Sequence, residues 1–523
     1  MSSTTLKEPH QRELFGHPIG LYILFFTEMW ERFSYYGMRA ILTLYMVART
    51  ADENPGLGWD NTRALALYGW YTMLVYVASI PGGIIADKII GQKKSVMLGG
   101  WLLVAGHGTL SIKQDWAFYL GLLLIILGVG MLKPNISTLV GGLYQKGDER
   151  RDKGFSIFYI GINVGAALAS LLVGFIAKEW GWHAGFGLAA IGMVFGQLVY
   201  LWGQKFIKHV GNNPKEVIKS DNDSISIGEI LKRNFTTQKT LVIMLIFATI
   251  SIILPLTLFE KERAAYIAFF LFLTLIIGSL ITIYNDLNGK VEKDRYIVLL
   301  LSFIIVIVFW GAFEQAGGLM NLYAQNKTDR VFMGYEIPAA VFQFFNPFYI
   351  LILAVPIANF WIWRKHKGKE ASSLFKMANG VIIMGLGFVF MVFASMQYET
   401  LGKSAMYWLI LAYLLHTIGE LCASPVVLSF VTKLAPAKYG ALMMGVYFAS
   451  TGLGNKVAGI IGESAEKAGE INVFLGITIT CVAFGILVLL LLKPLKRLTH
   501  GAEDNEHKMT DDDNEGFELA DNN

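Results

Sequence analysis

The stretch FTEMWERFSYYGMR, residues 26–39, contains four charged side chains within a run of residues that is otherwise apolar and helix-like. They are Glu28, Glu31, Arg32 and Arg39. A charged side chain that faces lipid at membrane depth costs at least about 2.5–3.5 kcal/mol. Charges inside membrane-spanning segments therefore usually face a bundle interior or a wet cavity and mark a pathway. The stretch predicts a helix that lines such a pathway.

The composition of the chain indicates an integral membrane protein. Of its 523 residues, 54% are hydrophobic and 16% are charged, against about 25% charged residues in soluble domains. The mean hydropathy is +0.49. The net charge of +4 implies no nucleic-acid partner. Cys422 and Cys481 both fall in apolar segments, which disfavours a disulfide framework. The polar N-terminal stretch lacks an apolar region, so we expect no cleavable signal peptide.

Apolar runs of about 20 residues, the length that crosses a bilayer, recur along the chain. They predict an all-α integral membrane fold with fourteen transmembrane helices. The predicted spans are 18–47, 62–88, 94–112, 115–144, 154–178, 183–206, 240–259, 265–285, 296–323, 338–363, 374–396, 405–432, 439–464 and 470–492.

The seventh and eighth spans form a hairpin without buried charges, and omitting it leaves two sets of six helices. These sets are weakly similar, because SIPGGIIADKIIGQKK (79–94) parallels AVPIANFWIWRKHKGK (354–369). Repeated halves are typical of secondary transporters, whose substrate site lies between them. The predicted organisation is an N-terminal six-helix bundle (1–206), a cytoplasmic linker (207–238), an inserted transmembrane hairpin (239–294), a C-terminal six-helix bundle (295–493) and a disordered acidic tail (494–523).

Lysine and arginine concentrate in alternate loops, for example QKGDERRDKG (145–154) and WRKHKGK (363–369). Loops rich in these residues face the cytoplasm. We therefore expect both termini to be cytoplasmic, which agrees with an even number of spans.

The charges of the opening stretch fall on one side of a helix. Glu28 and Arg32 are four residues apart and share a face, and Arg39 returns to that face about three turns later. Glu31 lies next to this stripe. One interpretation is a salt-bridge ladder that only fixes helix packing. The other is a mixed-sign cluster that exchanges partners as protons move.

Two further motifs in the first half place polar groups at membrane depth. Lys133 precedes Pro134 in the middle of a span, and the proline kinks the helix because it cannot donate a backbone hydrogen bond. Snorkelling to the interface is the alternative for this lysine, although its position is central. Tyr159 and Asn163 share a helical face. Asn163 could form an interhelical hydrogen bond or belong to a substrate site.

The second half supplies acidic groups. Glu314 lies in FWGAFEQAG (309–317), and Glu420 is the only acid of its span and precedes a proline. Either acid could instead be a hydrogen-bonded packing residue. Together with Arg32 and Lys133, they predict a cavity that is positive on one side and negative on the other. A short peptide, with its ammonium and carboxylate well separated, suits that field better than a free amino acid does.

These motifs resemble those of the proton-coupled oligopeptide transporters (POT family) of the major facilitator superfamily. EMWERFSYYG (28–37) resembles the family signature E-x-x-E-R-F-x-Y-Y-G, and FYIGINVG (158–165) resembles F-Y-x-x-I-N-x-G. GMLKPN, FWGAFEQAG and GELCASP are similar to further family stretches in the same order. The resemblance covers about residues 18–492. It implies the major facilitator fold, two six-helix bundles, with a two-helix insertion like that of bacterial members.

The resemblance also implies roles for individual residues. Arg32 and Lys133 would receive the peptide carboxylate, and Glu420 would bind the amine. One departure is Tyr447, where many relatives have tryptophan, and it bears on side-chain preference. The residues implied in proton coupling are Glu28, Glu31, Arg32, Lys133 and Glu314. The residues implied in substrate binding are Arg32, Tyr36, Arg39, Tyr76, Lys133, Tyr159, Asn163, Trp310, Phe313, Asn346, Glu420, Ser424 and Tyr447.

The sequence thus predicts a proton-coupled symporter that imports di- and tripeptides by alternating access across the bacterial inner membrane. Its partners would be peptides, protons and membrane lipid, and we expect no metal or other cofactor. The alternatives are a transporter of another small anion or zwitterion on the same fold, a passive channel, or a membrane receptor. No nucleophile–base pair or phosphate-binding loop in the sequence suggests an enzyme.

Overall fold

The computed structural model describes residues 12–145, 148, 150–211, 227–258 and 263–502. Part of the predicted linker (212–226) and most of the predicted acidic tail (503–523) lie outside the described residues.

The described chain is almost entirely helical. The helices are α1 Ile19–Val47, α2 Asn61–Val77, α3 Ser79–Ile85, α4 Gln92–Leu110, α5 Asp115–Gly142, α6 Arg150–Trp180, α7 Trp182–Gly203, α8 Ile227–Thr236, α9 Gln238–Leu258, α10 Arg263–Asp286, α11 Lys290–Phe313, α12 Leu319–Lys327, α13 Phe345–His366, α14 Ser373–Leu401, α15 Tyr407–Leu434, α16 Gly440–Ala468, α17 Glu470–Leu490 and α18 Leu492–Leu498. A π-helical turn follows α3 at Ala86–Ile90, and 3₁₀ turns occupy Gln204–Phe206, Glu314–Ala316, Ala339–Phe344 and Ala437–Tyr439.

Three short strand pairs lie in the described connections between helices. β1 (Glu13–Leu14) pairs antiparallel with β2 (His17–Pro18), β3 (Thr328–Asp329) pairs in parallel with β6 (Ser404–Ala405), and β4 (Val331–Phe332) pairs antiparallel with β5 (Tyr335–Glu336).

Eleven helical stretches within the described residues are long and apolar enough to cross a membrane. Three more helices, α1, α4 and α16, have 29, 19 and 29 residues. The first carries the four charges of the opening stretch, and the other two are rich in glycine and polar residues. Together these helices are consistent with the fourteen predicted spans.

Local chemistry sets several helix ends. Asp60 precedes α2, and its carboxylate accepts a 2.7 Å hydrogen bond from the backbone N–H of Arg63, as an N-cap residue does. Helix α14 ends at Leu401 because Gly402 adopts a left-handed conformation with φ of 73°, which glycine tolerates without a steric penalty. These caps satisfy backbone groups that the helices leave unpaired.

Close helix approach fixes the position of the charged segment of α1. A Cβ atom added at Gly165 of α6 would lie 2.1 Å from the carbonyl oxygen of Met29 and 3.2 Å from Cβ of Arg32. Only a residue without a side chain permits this contact, as in other membrane helix pairs. Helix α6 therefore presses directly on the part of α1 that carries Glu28 and Arg32.

Pro134 shapes α5 beside Lys133. Proline has no N–H to offer the carbonyl of Gly130, four residues earlier. The backbone of α3 approaches that same carbonyl, since a Cβ atom added at Gly82 would lie 2.0 Å from the oxygen of Gly130. The part of α5 around Pro134 is thus held against α3 by direct backbone contact.

Gly82→Ala is expected to destabilise the protein by about 1–3 kcal/mol, because the added methyl group must push α3 away from α5. Thermal unfolding of the purified protein in detergent should show a lower apparent melting temperature. Gly83→Ala is the matched control, because its added Cβ atom meets nothing within 4 Å and alanine favours helix by about 1 kcal/mol. Equal losses in the two variants would contradict the close contact.

The chain forms two compact units, and all predicted site residues lie in the first. The first unit contains Met1–Ser220, Ile304–Val427 and Tyr447–Leu490, and the second contains Asp221–Phe303, Leu428–Val446 and Leu491–Asn523. The predicted domain boundaries stay a prediction.

Within the second unit, α9 and α10 pack against each other. Asp286, at the end of α10, joins three segments of that unit. It accepts hydrogen bonds from Arg233 of α8 (2.6 Å) and Lys438 (2.8 Å), and from the hydroxyl of Tyr439.

Candidate functional site

Arg32 lies between two glutamates of its own helix. Its guanidinium is 2.7 Å from Oε1 of Glu28 and 3.1 Å from Oε2 of Glu31, and all three residues are buried. The other oxygens, Oε2 of Glu28 and Oε1 of Glu31, accept no hydrogen bond within the described part of the chain. Two carboxylates therefore share one cation, and each keeps an oxygen at which a proton can bind.

Lys133 of α5 lies over an aromatic ring. Its Nζ lies 3.7 Å from the ring centroid of Tyr76, a cation–π contact. Among the described residues Lys133 forms no ion pair with a carboxylate. The arrangement leaves a membrane-embedded ammonium able to take an anionic partner.

Arg39 does not belong to the Glu28–Arg32 cluster, although the helical spacing places it on the same face. Its Nη1 instead donates to both oxygens of Glu314, at 2.9 and 3.1 Å, and Tyr68 donates to the same carboxylate at 3.1 Å. The guanidinium carbon lies 4.8 Å from the ring centroid of Tyr36. This buried pair connects α1 to the 3₁₀ turn that follows α11.

Two further bonds accompany the pair at the same junction. Thr43 donates to the carbonyl of Gly317 at 3.0 Å, and Asn321 donates to the carbonyl of Ala40 at 2.8 Å. The two halves of the sequence thus meet along the second half of α1.

Glu314→Leu is expected to destabilise the protein by about 3–5 kcal/mol, because it leaves the guanidinium of Arg39 buried without its counter-charge. The double variant Arg39→Met/Glu314→Leu should recover much of that loss, because it removes both charges together. Apparent melting temperatures of the three proteins in detergent measure the difference. A double variant that is no more stable than the single one would contradict this explanation.

A cavity lies where the two halves of the sequence face each other. The space in it that water-sized molecules can occupy is about 130 Å³, which is smaller than the about 300–1,000 Å³ of most small-molecule sites. The lining residues are Tyr36, Arg39, Tyr159, Ile162, Asn163, Ala166, Ser170, Trp310, Phe313, Ala316, Gln343, Asn346, Pro347, Ile350, Tyr413 and Glu420.

Glu420 is the one acidic side chain among these lining residues. Asn346 orients it, because its Nδ2 donates to Oε2 of Glu420 at 2.8 Å and also lies 3.1 Å from the hydroxyl oxygen of Thr417. One oxygen of the carboxylate is thus held by the protein. The cavity wall presents a positioned acid among aromatic rings.

The structure brings together eight of the thirteen residues predicted to bind substrate. They are Tyr36, Arg39, Tyr159, Asn163, Trp310, Phe313, Asn346 and Glu420. The other five do not line this cavity: Arg32, Tyr76, Lys133, Ser424 and Tyr447.

Three polar lining residues were not predicted. Tyr413 lies seven residues before Glu420 on α15, so two helical turns place it on the same face, a spacing that could have revealed it. Gln343 lies three residues before Asn346 in FQFFNP, and Ser170 lies seven after Asn163. The sequence shows these spacings, but it does not show which helix faces line the cavity. In the described residues, no group of three or more His, Cys, Asp or Glu side chains could hold a metal ion.

Comparisons with known proteins place the chain in a family. Residues 93–504 match the model of the POT family. The chain is 37% identical over 506 residues to "Uncharacterized transporter YclF" of Bacillus subtilis, covering 96% of this chain and 99% of that protein. It is 35% identical over 504 residues to the "Di-/tripeptide transporter" of Lactococcus lactis, covering 93% and 98%. The crystal structure of a peptide transporter POT in complex with sulfate is similar, with a TM-score of 0.80, 35% identity, and 93% and 97% coverage. The chain belongs to the POT family, the family that its sequence motifs resemble.

Proposed function

We propose that this chain is a proton-coupled symporter that imports di- and tripeptides across the bacterial inner membrane by alternating access, with both termini in the cytoplasm. The observation that carries the proposal is the cavity wall with its single positioned acid, Glu420. The similar lactococcal protein is a di-/tripeptide transporter. In this chain the ammonium group of a peptide would bind to Glu420, with Asn346 beside it.

The carboxylate end of the peptide would bind Lys133 and Arg32. Lys133 supports this because it contacts an aromatic ring and forms no ion pair with a described carboxylate. Arg32 is already held by Glu28 and Glu31, so an arriving carboxylate would compete with those glutamates. That competition would couple peptide binding to protonation of the two glutamates.

Protons would bind at the glutamates of α1. Oε2 of Glu28 and Oε1 of Glu31 are buried and have no hydrogen-bond partner in the described chain. A buried carboxylate that loses its counter-charge becomes neutral by taking up a proton. Glu314 would also take part in proton transfer. Its position supports this role, because it binds Arg39 and Tyr68 at the junction of the two halves.

The remaining assignments also stay proposals. Asn163 would lie beside the amine at Glu420. Three tyrosines would line the pocket: Tyr36, Tyr76 and Tyr159. Trp310 and Phe313 would shape the side-chain sites of the peptide, Tyr447 would bear on side-chain preference, and Ser424 would also contact the substrate.

Competition for uptake into proteoliposomes tests the proposed substrate. Labelled dialanine should be displaced by unlabelled di- and trialanine, and much less by tetraalanine, free alanine or N-acetyl-dialanine. Displacement by a small anion such as nitrate, without displacement by peptides, would contradict the proposal and favour an anion transporter on the same fold.

A further inference from the structure

One polar group on the cavity wall has no part in the function proposed above. Gln343 lies in the 3₁₀ turn Ala339–Phe344 that precedes α13, and it lines the cavity. Its side chain is 7% exposed, and its Nε2 donates no hydrogen bond to the described residues. A buried amide without a partner is costly, so its presence beside a cavity suggests that a ligand satisfies it.

Three other polar groups of the cavity wall already donate hydrogen bonds within the protein. The hydroxyl of Ser170 donates to the carbonyl of Ala166 at 3.2 Å, and that of Tyr413 donates to the carbonyl of Ala316 at 3.4 Å. Asn163 donates to the carbonyl of Tyr159 at 2.9 Å. These three groups have acceptors of their own, whereas Nε2 of Gln343 is buried with no acceptor among the described residues.

The backbone aligns Gln343 with the proposed amine site. Gln343 lies near the end of the 3₁₀ turn and Asn346 in the first turn of α13, three residues later, and both line the cavity. Asn346 holds Glu420. The neighbouring residues Ala340 and Val341 face α6, within 3.3–3.4 Å of a Cβ atom added at Gly174. The turn is thus packed against α6 through these residues, and Gln343 of the same turn lines the cavity.

We propose that Gln343 is a specificity-determining residue that donates a hydrogen bond from Nε2 to the carbonyl oxygen of the first peptide bond. This inference rests on the proposed function, in which Glu420 holds the peptide's amine. In any peptide that carbonyl oxygen is three covalent bonds from the amine nitrogen, so it is the first neutral acceptor beyond Glu420. Gln343 would thus recognise the peptide backbone, and this contact would not depend on which side chains the peptide carries.

Thioxo substitution tests this assignment, because sulfur in place of the first carbonyl oxygen is a weak hydrogen-bond acceptor of nearly the same shape. Affinities of dialanine and its thioxo analogue are measured by competition against a labelled dipeptide. In the native protein, dialanine should bind about 2- to 10-fold more tightly than the analogue, the value of a typical neutral hydrogen bond. In Gln343→Met, dialanine should weaken by that factor and the two ligands should bind equally.

Ser170→Ala is the matched control, because Ser170 lines the same cavity but its hydroxyl is bonded within α6. This variant should preserve the native ratio between the two ligands. Gln343→Leu, read in the same assay, replaces Gln343→Met if the methionine variant does not fold. Equal weakening of both ligands in the Gln343 variants would show a packing role and overturn the inference. Failure of the native protein to bind dialanine would overturn the proposed function itself, and the inference with it.

Discussion

Glu420→Gln is expected to weaken dipeptide binding by about 10- to 100-fold. A hydrogen bond from the peptide's ammonium group to an ionised carboxylate contributes about 1.5–3 kcal/mol, which corresponds to that range of affinity. The glutamine side chain has almost the same shape and keeps an oxygen near Asn346. The loss of dipeptide affinity therefore measures the effect of removing the negative charge. Competition binding with a labelled dipeptide, on purified protein in detergent, measures it.

Two comparisons make this result specific to the amine. Glu470→Gln removes a carboxylate that pairs with Lys327 at 2.7 Å and does not line the cavity, so it should leave dipeptide affinity unchanged. N-acetylation removes the ammonium charge from the peptide and should weaken binding to the native protein but have little further effect on Glu420→Gln. If acetylation leaves native binding unchanged, Glu420 does not hold the amine.

The second large effect is expected from Glu31→Gln, which mimics a permanently protonated carboxylate. In the proposed mechanism, a peptide carboxylate that arrives at Arg32 and Lys133 would compete with Glu31 for the guanidinium. The freed and buried glutamate would then take up a proton. Substrate and proton would thereby favour each other's binding, and such a coupling must be reciprocal. Loss of the proton to the cytoplasm would restore the ion pair and favour peptide release.

Glu31→Gln should therefore abolish peptide uptake driven by a proton gradient and keep counterflow exchange, which needs no net proton movement. Both assays are run on one purified variant in liposomes. Ser34→Ala is the control: Ser34 is also buried in α1 and its hydroxyl donates to the carbonyl of Glu31 at 3.1 Å, yet its loss should spare both activities. Loss of exchange together with uptake, in a protein that still binds peptide, would instead indicate that Glu31 only braces the helix. Full gradient-driven uptake would exclude it as an essential proton carrier.

Much of the architecture followed from the sequence because local rules determine it. Apolar length predicted the spans, and the four-residue spacing placed Arg32 against Glu28, which the structure shows at 2.7 Å. The span predicted at 62–88 is helical but is divided at Ala78 into α2 and α3. It ends in a π-helical turn at Ala86–Ile90. The span predicted at 296–323 breaks at Glu314–Ala316, where the side chain of Glu314 turns toward α1.

Contacts between distant helices could not be derived in the same way. Helical spacing groups Arg39 with Glu28, but its partner is Glu314, 275 residues away, because the packing of α1 against the second half decides which charge is nearest. The residues that line the cavity could not be derived from spacing either. Gln343 and Tyr413 lie at regular spacings from Asn346 and Glu420, but spacing alone does not say which face meets a cavity.

Peptide uptake against a concentration gradient tests the central claim most directly. The purified protein is reconstituted in liposomes, and labelled dialanine uptake is followed with an inward proton gradient, without a gradient, and with a gradient plus a protonophore. Proton-coupled symport predicts internal dialanine above the external concentration only in the first condition. Equal uptake in all three conditions, never exceeding the external concentration, would contradict symport and indicate a passive channel or carrier.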